Sequence, residues 1–407
     1  KHKGNKMSRY VIMGNGVAGN AAAETIRKLE PGSEIRMFSR EDHHYYYRPA
    51  LPEYLAGEKT TRALTLHDGS WYEKNRIEIR LTTEIVDILP VEKTVLASDG
   101  KTYAYDRLLL ATGGRAVVPK IPGNDLEGVF TLHTVADADA MIRWSGSAKN
   151  LVVIGGGILG IEAGNGLRRR GLQVTVVGRN KRLLPRQTDA ASAVFLRRRL
   201  EEMGFTFHLG VVPREIARSD RRLAVVLEDG RALETDMVLL SAGAAPDLAL
   251  ARRLGLKIGK AVEVDDRLRT SVEDIYAAGD LVEHRGVYYG IWPPAMAQGR
   301  AAGVNMTGRE AVYPGTLQSY RLKVAGIDLF SMGNIDADGG DRCTVRSDEG
   351  KGIYRKLVIE DRCVAGAILL GDLHGEKAIQ AAVEGRKAVS AVRETMEEEG
   401  FDLSGFE

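Results

Sequence analysis

Cysteine is nearly absent: Cys343 and Cys363 are the only thiols in 407 residues. Two thiols cannot build a disulfide framework for a chain of this length. No Cys-x-x-Cys or Cys-x4-Cys occurs, which excludes a redox dithiol of neighbouring cysteines. The eight histidines form no His-Glu-x-x-His or comparable cluster, so no metal is expected. An apolar run of the roughly 18 residues needed for a membrane span is also missing, because the stretch 151–161 is stopped by Glu162. No secretory leader precedes the first strand-like segment, and Lys1–Lys6 is a basic, glycine-containing lead-in to Met7. A cytoplasmic protein is the expectation. Net charge is only +2, and no nucleic-acid partner is expected.

What the chain has in excess is glycine, 46 residues, and the glycines mark a repeat. Residues 10–19 read Tyr-Val-Ile-Met-Gly-Asn-Gly-Val-Ala-Gly, and residues 151–160 read Leu-Val-Val-Ile-Gly-Gly-Gly-Ile-Leu-Gly. Each is a short apolar strand, then G-x-G-x-x-G, then a helical pattern over Asn20–Leu29 or Ile161–Arg170. A second strand follows each, Glu34–Phe38 and Gln173–Val177. In such a unit the first glycine permits the turn, the second lets the backbone approach a pyrophosphate, and the third brings helix and strand together. The pyrophosphate rests on the helix N-terminus, where free N–H groups and the helix dipole favour negative charge. One such motif is weak evidence. Two complete strand–loop–helix–strand units point to two bound dinucleotides.

Three further strands end in small-residue turns: 105–114 through Ala111-Thr112-Gly113, 238–246 through Gly243, and 274–280, which ends Gly279-Asp280. A carboxylate at the C-terminal edge of an open α/β sheet suits a ligand's hydroxyl groups. The fold class is therefore α/β, with two Rossmann-like dinucleotide-binding domains followed by a small α+β domain. Proline and glycine mark the boundaries (Pro119, Pro122 and Gly123; Gly243 and Pro246). They divide the chain into 7–115 with 244–315, then 116–243, then 316–407. The last unit reads as short strands at Leu322–Asp328, Leu329–Gly333, Tyr354–Ile359 and Val364–Leu370, then one helix over His374–Glu394. After Arg393 come Glu394, Glu397, Glu398, Glu399, Asp402 and Glu407 with no base, which reads as a solvated acidic tail.

These residues together resemble the two-dinucleotide-binding-domain flavoproteins, pyridine nucleotide-disulfide oxidoreductase-like proteins without the redox disulfide. The segment Tyr46-Tyr47-Arg48-Pro49-Ala50-Leu51, followed by Leu55-Ala56-Gly57, is similar to NAD(P)H:rubredoxin reductases and to the flavin part of assimilatory nitrite reductases. So are Leu322-Lys-Val-Ala-Gly-Ile-Asp328, Tyr354-Arg-Lys-Leu357 and Gly366-Ala-Ile-Leu-Leu-Gly-Asp372. The resemblance implies FAD in the first unit and NADPH or NADH in the second. Gly14, Gly16, Val17, Ala18 and Gly19 would line the FAD pyrophosphate. The ribose acid expected after the second strand is replaced by Ser39-Arg40-Glu41, so Ser39 or Glu41 would serve. Arg48 and Pro49 would lie beside the flavin ring, and Ile85 near the adenine. Ala111, Thr112, Gly113, Gly243, Gly279 and Asp280 would line the cofactor. His133 stands where relatives often carry an FAD-binding arginine, with an ordinary surface histidine as the plain alternative. Trp292 and Pro293 open a helix whose prolines sit in its first turn and whose N-terminus would face the flavin. Core packing is the alternative for Trp292.

In the second unit Gly155, Gly157, Ile158, Leu159 and Gly160 would carry the nicotinamide nucleotide. Glu162 would orient the carboxamide, so that hydride passes to flavin N5. Some relatives pair this glutamate with a lysine after Arg-Pro-x-Leu; here Pro52-Glu53 follows, so the pair is absent or uses another base such as Arg48. Between Arg168 and Arg199 ten bases face one acid, Asp189. Gly178 replaces an NAD-binding acid, and Arg179, Lys181, Arg182 and Arg186 follow, which favours NADPH through a grip on its 2′-phosphate. The leading function is an NAD(P)H-dependent flavoenzyme passing electrons to a small acidic redox protein, rubredoxin- or ferredoxin-like. An oxidase or reductase of a small molecule (oxygen, quinone or disulfide) and a flavin-binding sensor are the alternatives. Residues 40–60 contain no cysteine, unlike thiol-disulfide reductases, coenzyme A disulfide reductases and water-forming oxidases of the family. No oligomeric state follows from the pattern.

Overall fold

The structure, a computed structural model, describes residues 7–219, 222–336 and 342–403. The lead-in Lys1–Lys6 and Glu407 lie outside the described residues. Near-continuous apolar runs form strands buried on both faces, as parallel sheets require. One five-stranded parallel sheet has the order Ile275–Ala277, Arg107–Leu110, Arg9–Met13, Glu34–Phe38, Ile77–Arg80. A second has the order Phe205–Leu209, Gln173–Gly178, Asn150–Ile154, Met237–Leu240, Val129–Phe130. Each unit also carries a three-stranded antiparallel meander, over residues 85–104 in the first and 213–235 in the second. The chain crosses between the units and back through one two-stranded ribbon, Gly114–Ala116 against Ala244–Pro246.

The third sheet is antiparallel, ordered Ser319–Val324, Ile327–Gly333, Cys363–Leu370, Ile353–Glu360, Cys343–Asp348. Its apolar face packs on helices Glu376–Glu384 and Val389–Glu398. Among the described residues no helix is long and apolar enough to cross a membrane.

Several expectations are corrected. Both glycine-motif helices start three residues early, at Val17 and Ile158, because the second glycine of each motif is the extended N-cap. The expected helix His374–Glu394 is two helices. Between them Lys387 accepts from the Val364 N–H at 3.0 Å, and Val389 donates to the Arg362 carbonyl at 2.8 Å, so the sheet captures the backbone there. Strand Cys343–Asp348 was not anticipated, since its polar, half-exposed sequence CTVRSD lacks a buried face. The acidic tail is not uniformly solvated: Glu399 turns inward, 3.6 Å from Arg355 and 3.5 Å from His374, and Phe401 and Leu403 then enter the core.

Candidate active site

The two glycine loops have nearly the same close approaches. A Cβ on Gly14 would stand 2.0 Å from the Ala111 carbonyl oxygen, and one on Gly155 2.0 Å from that of Ser241. On Gly19 and Gly160 it would stand 2.1 Å and 2.4 Å from the carbonyl oxygens of Gly14 and Gly155. On Gly16 and Gly157 it would meet nothing within 4 Å. The first and third glycines are thus pinned by backbone, while the second faces open space at a helix N-terminus. That shape fits a pyrophosphate. Val17 and Ala18, and Ile158 and Leu159, supply the first helical turns.

Around the first cradle lies a polar frame that the motif does not announce. The Tyr72 hydroxyl lies 2.7 Å from both Asn15 Oδ1 and Asn20 Oδ1, its one proton shared between them, and Asn20 Nδ2 donates to Asn15 Oδ1 at 2.9 Å. Asn20 is 1% exposed. An asparagine on the apolar side of a helix was the available signal, because a buried amide needs partners. Thr112 and Gly113 follow strand Arg107–Leu110 beside Gly14, and Ile85 is buried with Phe38 in the core. Gly243 meets the same crossing, its carbonyl accepting from Val117 N–H at 2.9 Å.

Arg48 stands in a short turn, Arg48–Ala50, ahead of Pro49. Its guanidinium donates to Glu41 Oε1 at 2.7 Å and to the His133 carbonyl, and lies 4.9 Å over the Tyr46 ring. Tyr46 donates to the other Glu41 oxygen at 2.7 Å. Burial works against the Glu41 charge, yet Arg48 and Tyr46 hold its carboxyl below the ordinary range. Ser39 Oγ accepts from Glu41 N–H at 3.2 Å, so both ribose candidates already have partners within the chain, while Arg40 lies 3.5 Å from Asp247. His133 is no ordinary surface histidine: burial, then the charge of Arg48, pushes its imidazole down to about 4.

Asp280 differs from all of these. It has no hydrogen-bond partner among the described residues, and burial pushes its carboxyl up while Arg48 pulls it down. The preceding Gly279 packs on Ala18, its would-be Cβ 3.0 Å from the alanine methyl, so this acceptor sits beside the first cradle. Gly279 N–H is held by Gln298 at 2.9 Å, from helix Trp292–Met306. Trp292 stacks on Tyr45 with centroids 5.9 Å apart and meets the Tyr47 edge at 5.0 Å; Pro293 is exposed in the same turn. An open backbone cradle with a free carboxylate beside it fits a dinucleotide that brings both phosphates and hydroxyl donors.

At the second cradle, Gly178 ends its strand with its Cβ position 3.8 Å from Gly156 N, and Arg179, Lys181 and Arg186 are exposed beyond it. Most of the remaining basic stretch is neutralised. Arg169 pairs with Glu58, Arg182 with Asp336, Arg197 with Glu201, Arg198 with Glu349 and Arg199 with Glu202. Arg168 and Arg170 donate to the carbonyls of Met203 and Leu55. Glu162 does not reach Arg48, which is committed to Glu41. It accepts instead from the N–H of Ala325, in the turn between the first two strands of the third sheet. Burial, with repulsion from Glu53 and Glu58, pushes its carboxyl up to about 7.

Comparison with known families matches residues 8–299 to "Pyridine nucleotide-disulphide oxidoreductase" and residues 319–387 to "Rubredoxin NAD+ reductase C-terminal domain". The chain is 35% identical over 366 residues to "Nitrite reductase [NAD(P)H]" of Bacillus subtilis, covering 89% of this chain and 46% of that protein. It therefore spans about half the length of that relative. It is 37% identical over 282 residues to "Rubredoxin-NAD(+) reductase" of Pseudomonas putida, covering 69% of this chain and 73% of that one. Among solved structures it is similar to NADH:rubredoxin oxidoreductase from Clostridium acetobutylicum, with a TM-score of 0.81 at 28% identity, covering 94% of this chain and 96% of that chain.

Proposed function

The chain belongs to the pyridine nucleotide-disulphide oxidoreductase family, and on that premise we propose that it is an FAD-dependent NAD(P)H oxidoreductase that delivers electrons to a small redox protein. Residues 7–115 with 244–315 hold FAD, residues 116–243 hold the nicotinamide nucleotide, and the remainder forms the C-terminal domain. FAD, when bound, supplies the redox chemistry, taking two electrons from reduced nicotinamide and passing them on singly. The chain's own residues bind and orient. Gly14, Gly16 and Gly19 with the N-terminus at Val17 hold the pyrophosphate, and Asp280 accepts from hydroxyl groups. Arg48, fixed by Glu41, presents positive charge beside Pro49. The helix beginning at Trp292 and Pro293 would offer its N-terminal dipole to negative charge on the bound cofactor. Gly155, Gly157 and Gly160 hold the second dinucleotide, Glu162 orients its carboxamide, and Arg179 and Arg186 favour a 2′-phosphate and hence NADPH.

The observation that carries the choice of acceptor is the lack of any thiol in residues 40–60, beside the Arg48 cluster. Without an internal dithiol, electrons leave from the cofactor to the acceptor directly. The match to a rubredoxin reductase C-terminal domain supports a protein acceptor. Exposed Arg179, Lys181 and Arg186 favour an acidic one, with a salt-dependent on-rate. We place the enzyme in the cytoplasm, where the thiols of Cys343 and Cys363 stay reduced. Stopped-flow reoxidation of the NADPH-reduced enzyme by rubredoxin, ferredoxin, quinone and oxygen tests the reading. A redox protein is expected to be fastest; oxygen or quinone reacting as fast would replace it with the small-molecule activity.

A further inference from the structure

The loop beyond the second cradle is tied to the third sheet. Residues 179–188 fold back so that Leu184, at φ 48°, donates its N–H to the Gly156 carbonyl at 3.1 Å, inside the glycine motif itself. Thr188 Oγ1 ties the Leu183 and Leu184 carbonyls at 2.6 Å and 3.0 Å. Asp189 closes the loop as N-cap of helix Ala190–Glu202, its Oδ1 accepting from Ser192 N–H at 2.9 Å. Its other oxygen, Oδ2, faces out of the unit. Tyr354 hydroxyl and Lys356 Nζ both donate to it at 2.8 Å from strand Ile353–Glu360. Lys356 is 1% exposed and also donates to the Ile335 carbonyl at 3.1 Å. A second tie joins Arg182 of the loop to Asp336 at 2.7 Å.

Ordinary docking of two domains does not need a charge pair this deep, because desolvation offsets much of its attraction. What the pair supplies is geometry: one ammonium, held on a rigid strand, sets where the loop ends. We propose that Lys356 is a positioning residue for the nicotinamide nucleotide. By gripping Asp189 it holds residues 179–188, and through Leu184 the Gly156 carbonyl, in the shape that presents Arg179 and the open side of Gly157. The C-terminal domain thereby shapes a nucleotide site whose cradle residues all belong to another unit. The proposal rests on the reading of 116–243 as the NAD(P)H-binding unit.

The test uses the FAD-loaded full chain. Lys356→Met is expected to raise the calorimetric Kd for NADP+ and the KM for NADPH about tenfold, which corresponds to ~1.4 kcal/mol. The kcat with ferricyanide as acceptor and the FAD content should stay near wild type. A lysine serving stability alone would lower Tm or FAD content without moving Kd, and that result overturns the proposal. Should Lys356→Met fail to fold, Arg182→Gln breaks the exposed second tie and should raise Kd roughly two- to threefold. An unchanged Kd in that variant also overturns it. The wild-type titration separates this from the underlying reading. A wild type that binds neither NADP+ nor NAD+ removes the nucleotide assignment, whereas normal binding unaffected by the variants removes only the role of Lys356.

Discussion

The two glycine cradles share their close backbone approaches and differ in their surroundings. Both pin their first glycine at 2.0 Å from a neighbouring carbonyl and leave the second one open. The first is braced by Asn15, Asn20 and Tyr72 and met by Asp280, whose charge is acted on by Arg48 from its cluster with Glu41, Tyr46 and His133. The second opens onto exposed Arg179, Lys181 and Arg186, with its loop held from another domain. A tightly kept cofactor suits the first arrangement and an exchanging substrate the second. The lesson is that backbone spacing makes a phosphate site, while the side chains packed around it decide how long the ligand stays.

The largest effects should come from the shared part. Gly14→Ala and Gly155→Ala force a methyl against a carbonyl at φ values of 115° and 131°, and should each cost about 3 kcal/mol or more in urea denaturation. Gly16→Ala and Gly157→Ala meet no protein atom and should cost within about 1 kcal/mol, as N-cap changes do. Instead they should weaken FAD and NADP+ binding respectively. Equal destabilisation by both kinds of variant would remove the distinction between pinned and open glycines, and unequal costs for Gly14→Ala and Gly155→Ala would break the equivalence of the cradles.

Next come changes private to one side. Asp280→Asn should weaken FAD retention about tenfold or more while leaving the Kd for NADP+ unchanged. Arg179→Ala should leave FAD content alone and lower the NADPH-to-NADH ratio of kcat/KM about tenfold. Fluorimetric FAD release and paired kinetics read both arms. A wild type preferring NADH, or an unmoved ratio in Arg179→Ala, would remove the 2′-phosphate contact.

Changes of pH act on stability through two buried groups. His133 titrates near 4 in the folded chain, below its ordinary 6.5, so the unfolded chain binds the proton first. Its contribution is full above about pH 6.5 and declines as pH falls toward 4. Glu162 has the opposite sign. Raised from 4.5 to about 7, it favours the fold fully below pH 4.5, and this is lost as pH rises through 7. Urea midpoints between pH 4 and 8 should therefore show His133→Gln flattening the acid side and Glu162→Gln the neutral side. Either variant leaving the profile of wild type would show that its environment is more open than the structure has it.

Legibility follows how local each signal is. Glycine spacing, apolar strands and the prolines after Ile291 report on contacts a few residues away, and they foretold both cradles and the helix Trp292–Met306. Helix starts were displaced by three residues because the N-cap glycine lies inside the motif rather than after it. Strand Cys343–Asp348 was hidden because its polar, half-exposed sequence shows no buried face, although it pairs with the next strand, Ile353–Glu360. The break at Gly385–Ala388 was hidden because it depends on pairing with Cys363, on another strand. In sequence the basic stretch counts ten bases against one acid, but its partners Glu58, Asp336 and Glu349 come from other units.

By itself, then, the sequence determined two glycine-motif cradles, the absence of a thiol in residues 40–60, and an acid, Asp280, at a strand's edge. Each of these is a matter of residue type at short spacing, where backbone sterics leave little choice. Only the tertiary structure decided that Arg48 serves Glu41 rather than Glu162, that His133 is neutral, and that Lys356 reaches Asp189. Those outcomes depend on which charges burial brings within hydrogen-bond reach, across separations of 7 to 167 residues that no local pattern encodes.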